Sequence, residues 1–370
     1  MKTLFILSIA SGYGGAERSI EMIIRHLPSD LHVRIYAENK LHLDQLIQPG
    51  GLPRNVTLIR IIGSATPWGK RKASLRLLYD CLTNPDAVLL VNTNTSALIA
   101  AMTAKFLPSL GKRCHVYIRD FLWEDLDYVF SRLPGLQVLL PSASVSKRLG
   151  YLAPFFIQPI GPAPFAVVPD MAILPPGPVN YTGPFLHLAT VNPWKGHVDL
   201  IMALKLLQDS RRDVQALSFG VVGNVLLHTQ LQQLIQTLEI GDSYRLLAYL
   251  AKPDPYLRNC KAVVVPSVAH SGGPETFGRA VIEAWSYRKP VIAYATGSVA
   301  ELVEHEVNGL LVQEGDINAL AKAIGRLEDS PELCRRLGEA GYEKVKNHFE
   351  AGAVTKCLLD QVANSAKKNA

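Results

Sequence analysis

Two glutamates eight residues apart close a glycine-rich segment in the last third of the chain. The segment from Pro266 to Glu283 reads Pro-Ser-Val-Ala-His-Ser-Gly-Gly-Pro-Glu-Thr-Phe-Gly-Arg-Ala-Val-Ile-Glu. A strand ending at Pro266, a Gly-Gly-Pro turn and a helix beginning near Thr276 predict free backbone N–H groups at a helix N-terminus, which can bind an anion. Beside them, Glu275 can accept hydrogen bonds from sugar hydroxyls, and Gly278 allows a ligand to approach the backbone closely.

A purely structural interpretation of these residues stays open. Glu275 could be an N-terminal helix cap and Glu283 an exposed helix position. The apolar Ala284 and Trp285 instead indicate a buried helix, where an unpaired glutamate would be costly. On one helix, eight residues separate the two carboxylates by about 12 Å. A ligand with a sugar at one end and a ribose at the other could span that distance.

The first half of the chain alternates short apolar runs with helical patterns, which predicts a parallel sheet covered by helices on both faces. The predicted strands are Leu4–Ile9, Val33–Ala37, Val56–Ile61, Val88–Asn92, Cys114–Arg119 and Gln137–Pro141. The predicted helices are Ala16–Leu27, Arg71–Leu82, Ser96–Phe106 and Ser144–Leu152.

Nine prolines within residues 154–184 exclude a long helix or a central strand there. The alternation of strands and helices then begins again at Phe185. We therefore predict an α/β protein with two doubly wound, Rossmann-like lobes facing a central cleft. The predicted divisions are a first domain over 1–160, a proline-rich linker over 161–184, a second domain over 185–349 and a last helix, about 350–370, that packs back on the first domain.

Composition excludes several classes of protein. Hydrophobic residues make up 48% and charged residues 19% of the 370 residues, a globular balance, and five scattered cysteines favour a reduced, cytoplasmic setting over a disulfide framework. Residues 1–152 hold 18 Lys and Arg against 11 Asp and Glu, whereas the remainder holds 20 against 21. The basic first half predicts an anionic partner, but no motif or interleaved aromatic pattern points to nucleic acid.

The Glu-x7-Glu arrangement resembles glycosyltransferase family 4, whose members are retaining enzymes of the GT-B fold. Three further segments are similar to that family's motifs, in the same order along the chain. They are Gly-Gly-Ala-Glu-Arg at 14–18, Asn-Pro-Trp-Lys-Gly at 192–196, and Gly-Ser-Val-Ala-Glu-Leu with Asn-Gly-Leu-Leu-Val at 297–312. The order and spacing of four motifs are more specific than any one of them, and the likeness covers most of the chain.

The resemblance implies a role for each matching residue in binding a nucleotide-sugar donor, with UDP-glucose the first choice. Glu275 would bind the 3- and 4-hydroxyls of the sugar, Glu283 the ribose hydroxyls, and Lys195 the diphosphate, with Lys195 and Glu275 as the catalytic pair. The remaining donor-binding candidates are Gly15, Thr190, Gly273, Thr276, Phe277 and Gly278. Gly14, Arg119 and Asp120 are candidates on the acceptor side.

Two positions depart from the family pattern. Thr190 stands where many members have an arginine that clamps the diphosphate, which leaves Arg279 as one substitute. Arg119, followed by Asp120, stands where many members have a histidine, and it could either pair with Asp120 or face the reacting sugar. Because departing diphosphate charge can be stabilised by Lys195 and a helix N-terminus, and no Asp-x-Asp pair is suitably placed, we expect neither metal nor cofactor.

The expected reaction is transfer of a hexose, with retention, to a glycan or lipid-linked acceptor in cell-surface polysaccharide synthesis. Alternative activities are a sugar-nucleotide epimerase of the same fold and a non-catalytic sugar-nucleotide-binding protein. The basic, amphipathic stretch 69–79 could lie on an anionic membrane surface, or its Leu75, Leu77, Leu78 and Tyr79 could face the core. We therefore expect a cytoplasmic protein with possible peripheral membrane contact.

Overall fold

The computed structural model describes residues 1–47, 51–119, 125–145, 165–168, 170–175, 177, 179–248, 253–269 and 275–368. The chain divides into two compact units, residues 1–171 together with 351–370, and residues 172–350. Each unit contains one parallel sheet. Of the predicted elements, the helix Ser144–Leu152 extends outside the described residues.

The first unit is built on a seven-stranded parallel sheet with the order β3-β2-β1-β4-β5-β6-β7. Its central strand β1 is buried on both faces, and Ile6 lies beside Ile35 on one neighbour and Leu90 on the other, all without solvent exposure. Continuous apolar strands of this kind are typical of a sheet covered on both sides. The strands are β1 (Thr3–Ser8), β2 (His32–Ala37), β3 (Val56–Arg60), β4 (Val88–Val91), β5 (Cys114–Tyr117), β6 (Gln137–Leu140) and β7 (Phe165–Val167).

Helices connect these strands. In the described part of the first unit they are α1 (Gly15–Arg25), α2 (Lys40–Leu46), α3 (Pro67–Thr83), α4 (Asn94–Ala104), α5 (Leu126–Arg132) and a 3₁₀ helix (Pro108–Arg113). Asn39, Thr66 and Thr93 begin three of them by accepting a backbone N–H with the side chain, which satisfies a donor that has no partner within the helix. The short helices α2 and α5 were missing from the sequence prediction, because seven residues give little periodicity to detect.

The predicted linker over 161–184 contains a strand of the first sheet. β7 pairs with β6 alone and lies at the sheet edge, where proline-rich sequence is tolerated. The division between the units falls after Met171, eleven residues beyond the predicted end of the first domain. Among the described residues of this stretch, proline content did not exclude an edge strand.

The second unit contains a six-stranded parallel sheet with the order β10-β9-β8-β11-β12-β13. Its strands are β8 (Phe185–Leu188), β9 (Ala216–Phe219), β10 (Tyr244–Leu247), β11 (Val263–Val265), β12 (Val291–Tyr294) and β13 (Leu310–Val312). Its helices are α6 (His197–Asp209), α7 (Val225–Thr237), α8 (Asp254–Asn259), α9 (Arg279–Ser286), α10 (Val299–Leu302), α11 (Ile317–Asp329) and α12 (Pro331–His348), with a 3₁₀ turn at Pro193–Lys195.

The last helix, α13 (Ala351–Lys368), belongs to the first unit. Its buried Val354, Leu358 and Val362 join the core cluster that contains Ile6 of β1 and Ile20 of α1. The second unit is therefore a continuous stretch of chain between two parts of the first. Its two ends meet in a bridge between Ala172 and Glu350.

None of the helices in the described residues is long and apolar enough to cross a membrane. All five cysteines are free thiols, four of them buried.

Candidate functional site

Both sheets reverse their direction of winding at one pair of neighbouring strands. In the second unit these strands are β8 and β11, because the chain winds outward from β8 to β10 on one side and from β11 to β13 on the other. Loops leaving the carboxyl ends of two such strands diverge and open a crevice, which is where open α/β sheets bind ligands. Lys195 follows β8 and Glu275 follows β11, so the topology brings the two predicted catalytic residues to this edge.

The loop after β8 is held directly against the loop after β11. Gly196 has φ of 69°, and a Cβ atom there would lie 1.9 Å from the carbonyl oxygen of Pro266. The backbone N–H of Val268 also donates a 2.9 Å hydrogen bond to the carbonyl of Trp194. Only glycine meets both the left-handed conformation and the close approach. The Lys-Gly pair of the sequence motif therefore places the lysine at the end of β11.

Lys195 and Glu275 form an ion pair. The Lys195 ammonium donates to Glu275 Oε1, and the hydroxyl of Ser267 donates to the same oxygen at 2.7 Å. The two side chains are only 20% and 16% exposed. Burial alone would raise the pKa of Glu275, but the Lys195 charge and these hydrogen bonds outweigh it and hold the pKa below its ordinary value of 4.5. Glu275 is therefore an ionised, fixed hydrogen-bond acceptor at the switch point.

The helix after Glu275 begins later than the sequence predicted. α9 begins at Arg279, and its N-cap Gly278 has a left-handed φ of 86° that cannot be part of the helix. Thr276 and Phe277 are thus in a turn, with Phe277 buried, and the predicted amides at 276–278 are not those of a first helical turn. Because Glu275 is outside α9, the predicted separation of two glutamates along one helix was also wrong.

Glu283 lies within α9 and is neutralised from the same helix. The Nε atom of Arg279 lies 2.9 Å from Glu283 Oε1, and the two side chains are 15% and 12% exposed. The prediction that a buried glutamate here needs a partner is met by a residue one turn earlier in the sequence. Arg279 was also considered as a replacement for the missing diphosphate-binding arginine, but in this structure its charge compensates Glu283.

Two buried histidines beneath the Lys195 loop were missed by the sequence prediction. His187 of β8 and His197 of α6 have ring centroids 4.4 Å apart, and His197 Nε2 lies 3.2 Å from the carbonyl oxygen of Thr190. Burial lowers the pKa of His197 to about 4 and that of His187 well below its ordinary value, so both rings are neutral at pH 7. The histidine that follows the Lys-Gly pair directly was the available signal. Thr190 is tied to this pair through its backbone.

In the first unit, Gly14 and Gly15 lie after β1 at the switch between β1 and β4. Gly14 is the N-cap of α1, and its N–H donates to Glu17 Oε2 at 2.8 Å. Burial raises the pKa of Glu17, and the hydrogen bonds that its carboxylate accepts from the backbone of Glu17 and Gly14 oppose this shift only in part. The hydroxyl oxygen of Ser19 lies 2.8 Å from the carbonyl oxygen of Gly15. The glycine motif thus begins a helix at the ligand-binding edge of the first sheet.

Arg119 is buried at the same edge and pairs with a residue far along the chain. Its Nη1 atom lies 3.4 Å from Asp170 Oδ1, and its guanidinium group lies over the Tyr117 ring at 3.8 Å. The same Asp170 oxygen accepts a 2.5 Å hydrogen bond from Ser19. Asp170 was not predicted because it lies in the proline-rich segment. Asp120, the partner suggested by the sequence, and Gly273 lie outside the described residues.

The described residues contain no group of three or more His, Cys, Asp or Glu side chains arranged to hold a metal ion. What they bring together in the second unit is a cation and an ionised acceptor at the switch point. Such a pair can bind phosphate through the lysine and polyhydroxyl groups through the carboxylate, provided that a ligand exchanges for the ion pair.

A mutation at Gly196 tests whether the loop contact positions Lys195. Gly196→Ala forces a Cβ atom against the Pro266 carbonyl and costs at least about 1–2 kcal/mol through the left-handed conformation alone. We expect a lower melting temperature. We also expect UDP, the nucleotide of the predicted donor, to bind at least roughly tenfold more weakly in calorimetry, equivalent to about 1.4 kcal/mol. Gly241→Ala is the matched control, since a Cβ there meets nothing within 4 Å. If the two variants behaved alike, the loop contact would not position the lysine.

The stretch that contains Lys195 and Glu275 matches a known protein family. Residues 183–344 match the family model of the glycosyl transferases group 1. The lipopolysaccharide core biosynthesis glycosyltransferase LpsD of Rhizobium meliloti (strain 1021) is 32% identical over 166 residues, which are 45% of this chain and 45% of LpsD. The alignment therefore spans less than half the length of that relative.

Solved structures resemble the chain over nearly its whole length. A glycosyltransferase from Rickettsia africae ESF-5 has a TM-score of 0.78 and 17% identity, covering 99% of this chain and 98% of that one. The Anabaena protein Alr3699/HepE, crystallised with UDP-glucose, has a TM-score of 0.77 and 20% identity, covering 98% and 99%. At this identity the likeness shows the fold. The chain thus has the two-lobed, Rossmann-like GT-B fold, and its residues 183–344 are similar to the glycosyl transferases group 1.

Proposed function

We propose that the chain transfers a hexose from a nucleoside diphosphate sugar, UDP-glucose in the first instance, to a glycan or lipid-linked acceptor during cell-surface polysaccharide synthesis. The observation that carries the proposal is the Lys195–Glu275 ion pair at the switch point of the glycosyltransferase domain. HepE crystallises with UDP, glucose and UDP-glucose, which supports the choice of donor. LpsD is named for lipopolysaccharide core synthesis, which supports a glycan acceptor.

In the proposed reaction the donor displaces the ion pair. Glu275 accepts hydrogen bonds from the sugar hydroxyls, and Lys195 turns its ammonium group to the diphosphate. The bond from the anomeric carbon to the phosphate oxygen breaks, and a bond from that carbon to the acceptor oxygen forms. The acceptor proton moves to the departing phosphate, whose negative charge Lys195 stabilises. We propose retention of configuration, in keeping with the family that the motifs resemble.

Thr190 and Arg279 bear on how the diphosphate charge is balanced. Thr190 supplies no charge, and Arg279 already compensates Glu283 at 2.9 Å. The proposal therefore assigns the charge compensation in the second unit to Lys195. No metal is proposed to take part. Glu283 is proposed to accept hydrogen bonds from the ribose hydroxyls, while Arg279 holds its carboxylate in position.

A panel of nucleotide sugars tests the proposed function. The full chain is incubated with UDP-, GDP- and ADP-hexoses, with and without EDTA, and the products are separated by chromatography. We expect UDP-glucose to bind and to be hydrolysed slowly to UDP and glucose in the absence of acceptor, to the same extent when metal is chelated. Formation of an epimer would identify an epimerase, and binding without turnover would identify a non-catalytic module. Either result would refute the transferase proposal.

A further inference from the structure

The outer face of α3 carries large apolar side chains and positive charge. Trp68, Leu75, Tyr79 and Leu82 are 60–66% exposed. Their spacing of seven, four and three residues places them in one stripe along the helix, since 3.6 residues make a turn. The sequence left open that Leu75 and Tyr79 face the core, and the structure contradicts that alternative. We define the outer face of α3 as this stripe together with Arg71 and Lys72.

The opposite side of α3 fixes the helix in that orientation. Leu77 and Cys81 are buried in the core of the first unit. At the first turn Gly69 packs against the carbonyl of Gly63, where a Cβ atom would lie at 1.8 Å. The helix cannot rotate its apolar stripe inward without removing these contacts. The stripe is therefore a fixed surface of the first unit rather than a poorly packed part of its core.

The charge of α3 is positive and displayed outward. The helix has four basic residues and one acidic residue, Asp80. Asp80 is buried and receives hydrogen bonds from Arg34, Arg76 and Tyr36 at 2.6–2.8 Å. Its negative charge is thus compensated inside the unit, while Arg71 and Lys72 are exposed beside the stripe. A surface of this kind is complementary to an anionic partner.

We propose that the outer face of α3 binds an anionic lipid surface. Tryptophan and tyrosine favour the boundary between lipid headgroups and acyl chains, because their rings are apolar with a polar edge. Leucine side chains enter the acyl region, and arginine and lysine reach the phosphates. A protein groove could also accept an apolar stripe with this spacing, but the exposed Arg71 and Lys72 beside it favour an anionic lipid surface. The proposal is independent of the proposed glycosyl transfer.

Sedimentation with vesicles tests this proposal on the full chain. We expect the protein to sediment with phosphatidylcholine vesicles that contain phosphatidylglycerol and to remain largely in solution with phosphatidylcholine alone. Each cation near an anionic surface contributes about fivefold to partitioning. R71E/K72E should therefore lower the partition coefficient by at least about 25-fold. L75S/Y79S should also lower the partition coefficient. This variant should not show the shift in tryptophan emission that vesicles cause in the unmodified protein.

Matched variants separate lipid binding from general effects of charge and hydrophobicity. K322E/K356E makes the same change of charge at exposed positions on α11 and α13, and V225S/L226S removes two exposed apolar side chains at the start of α7. Both should sediment as the unmodified protein does. Equal binding to neutral and anionic vesicles would overturn the proposal. So would self-association in light scattering that L75S/Y79S abolishes without any effect of lipid, because the face would then bind a second copy.

Discussion

Lys195→Ala is expected to lower the rate of sugar transfer by about 10²-fold or more at saturating donor, because the departing diphosphate loses its charge-stabilising group. Lys195 is also the proposed ligand of the diphosphate, so donor affinity should fall as well. The measurement is kcat and KM for UDP formation, combined with calorimetric binding of UDP.

Lys205→Ala is the matched control for this variant. Lys205 lies on the adjacent helix α6 and pairs with Asp209 at 2.8 Å, an i,i+4 pair whose aspartate is 57% exposed. Such surface pairs contribute little to stability, about 0.3–0.5 kcal/mol. We expect its kinetics to match those of the unmodified enzyme. An equally active Lys195→Ala variant with a native melting curve would contradict the assigned role.

Glu275→Gln is expected to reduce transfer by about tenfold to 10²-fold, since it keeps the shape of the side chain but replaces charge-assisted hydrogen bonds, worth about 1.5–3 kcal/mol, with neutral ones. Ser267 can still donate to the amide oxygen, so the fold should be retained. Kinetics with UDP-glucose and with deoxy analogues of its 3- and 4-hydroxyls measure the effect. The variant should discriminate less between donor and analogue than the unmodified enzyme does.

The difference in stability between the unmodified protein and Glu275→Gln should depend on pH in a defined direction. Folding lowers the pKa of Glu275 below its ordinary value of 4.5, so the carboxylate stabilises the folded state above that pH. This stabilisation is lost as the pH falls through the lowered folded pKa. The difference in unfolding free energy between the two proteins should therefore shrink below pH 4.5. A difference that grew with acidification would show that Lys195 does not hold the carboxylate in its ionised form.

The sequence predicted the parallel sheets because buried strands and amphipathic helices leave strong local patterns. The six strands predicted for the first lobe are present, with ends that differ by a few residues, and the alternation that begins again at Phe185 corresponds to the second sheet. Short helices such as α2 (Lys40–Leu46) and the edge strand β7 (Phe165–Val167) escaped, because a few residues carry too little periodicity and prolines obscured the strand. The GT-B fold was recognisable from the order of the motifs rather than from any single element.

Pairings between distant residues are what local patterns could not give. The sequence motifs identified Lys195 and Glu275 separately, but their ion pair follows from the adjacency of β8 and β11 in the sheet. For Arg119 the sequence left open a pairing with Asp120 or a position facing the reacting sugar, and it gave no sign of Asp170, which lies beside Arg119 in the structure. The start of α9 was misplaced because Gly278 has a left-handed φ of 86°, which keeps the preceding residues out of the helix.

The return of α13 to the first unit has a consequence for how the protein is made. The second unit is one uninterrupted stretch whose ends already meet at Ala172 and Glu350, so it can close its own core while the chain is still being synthesised. The first unit must wait for residues made long afterwards to supply Val354, Leu358 and Val362, so the apolar face that α13 covers stays exposed until then. A chain ending before α13 would keep that apolar face exposed, and its fate would be aggregation or proteolysis rather than a smaller working enzyme.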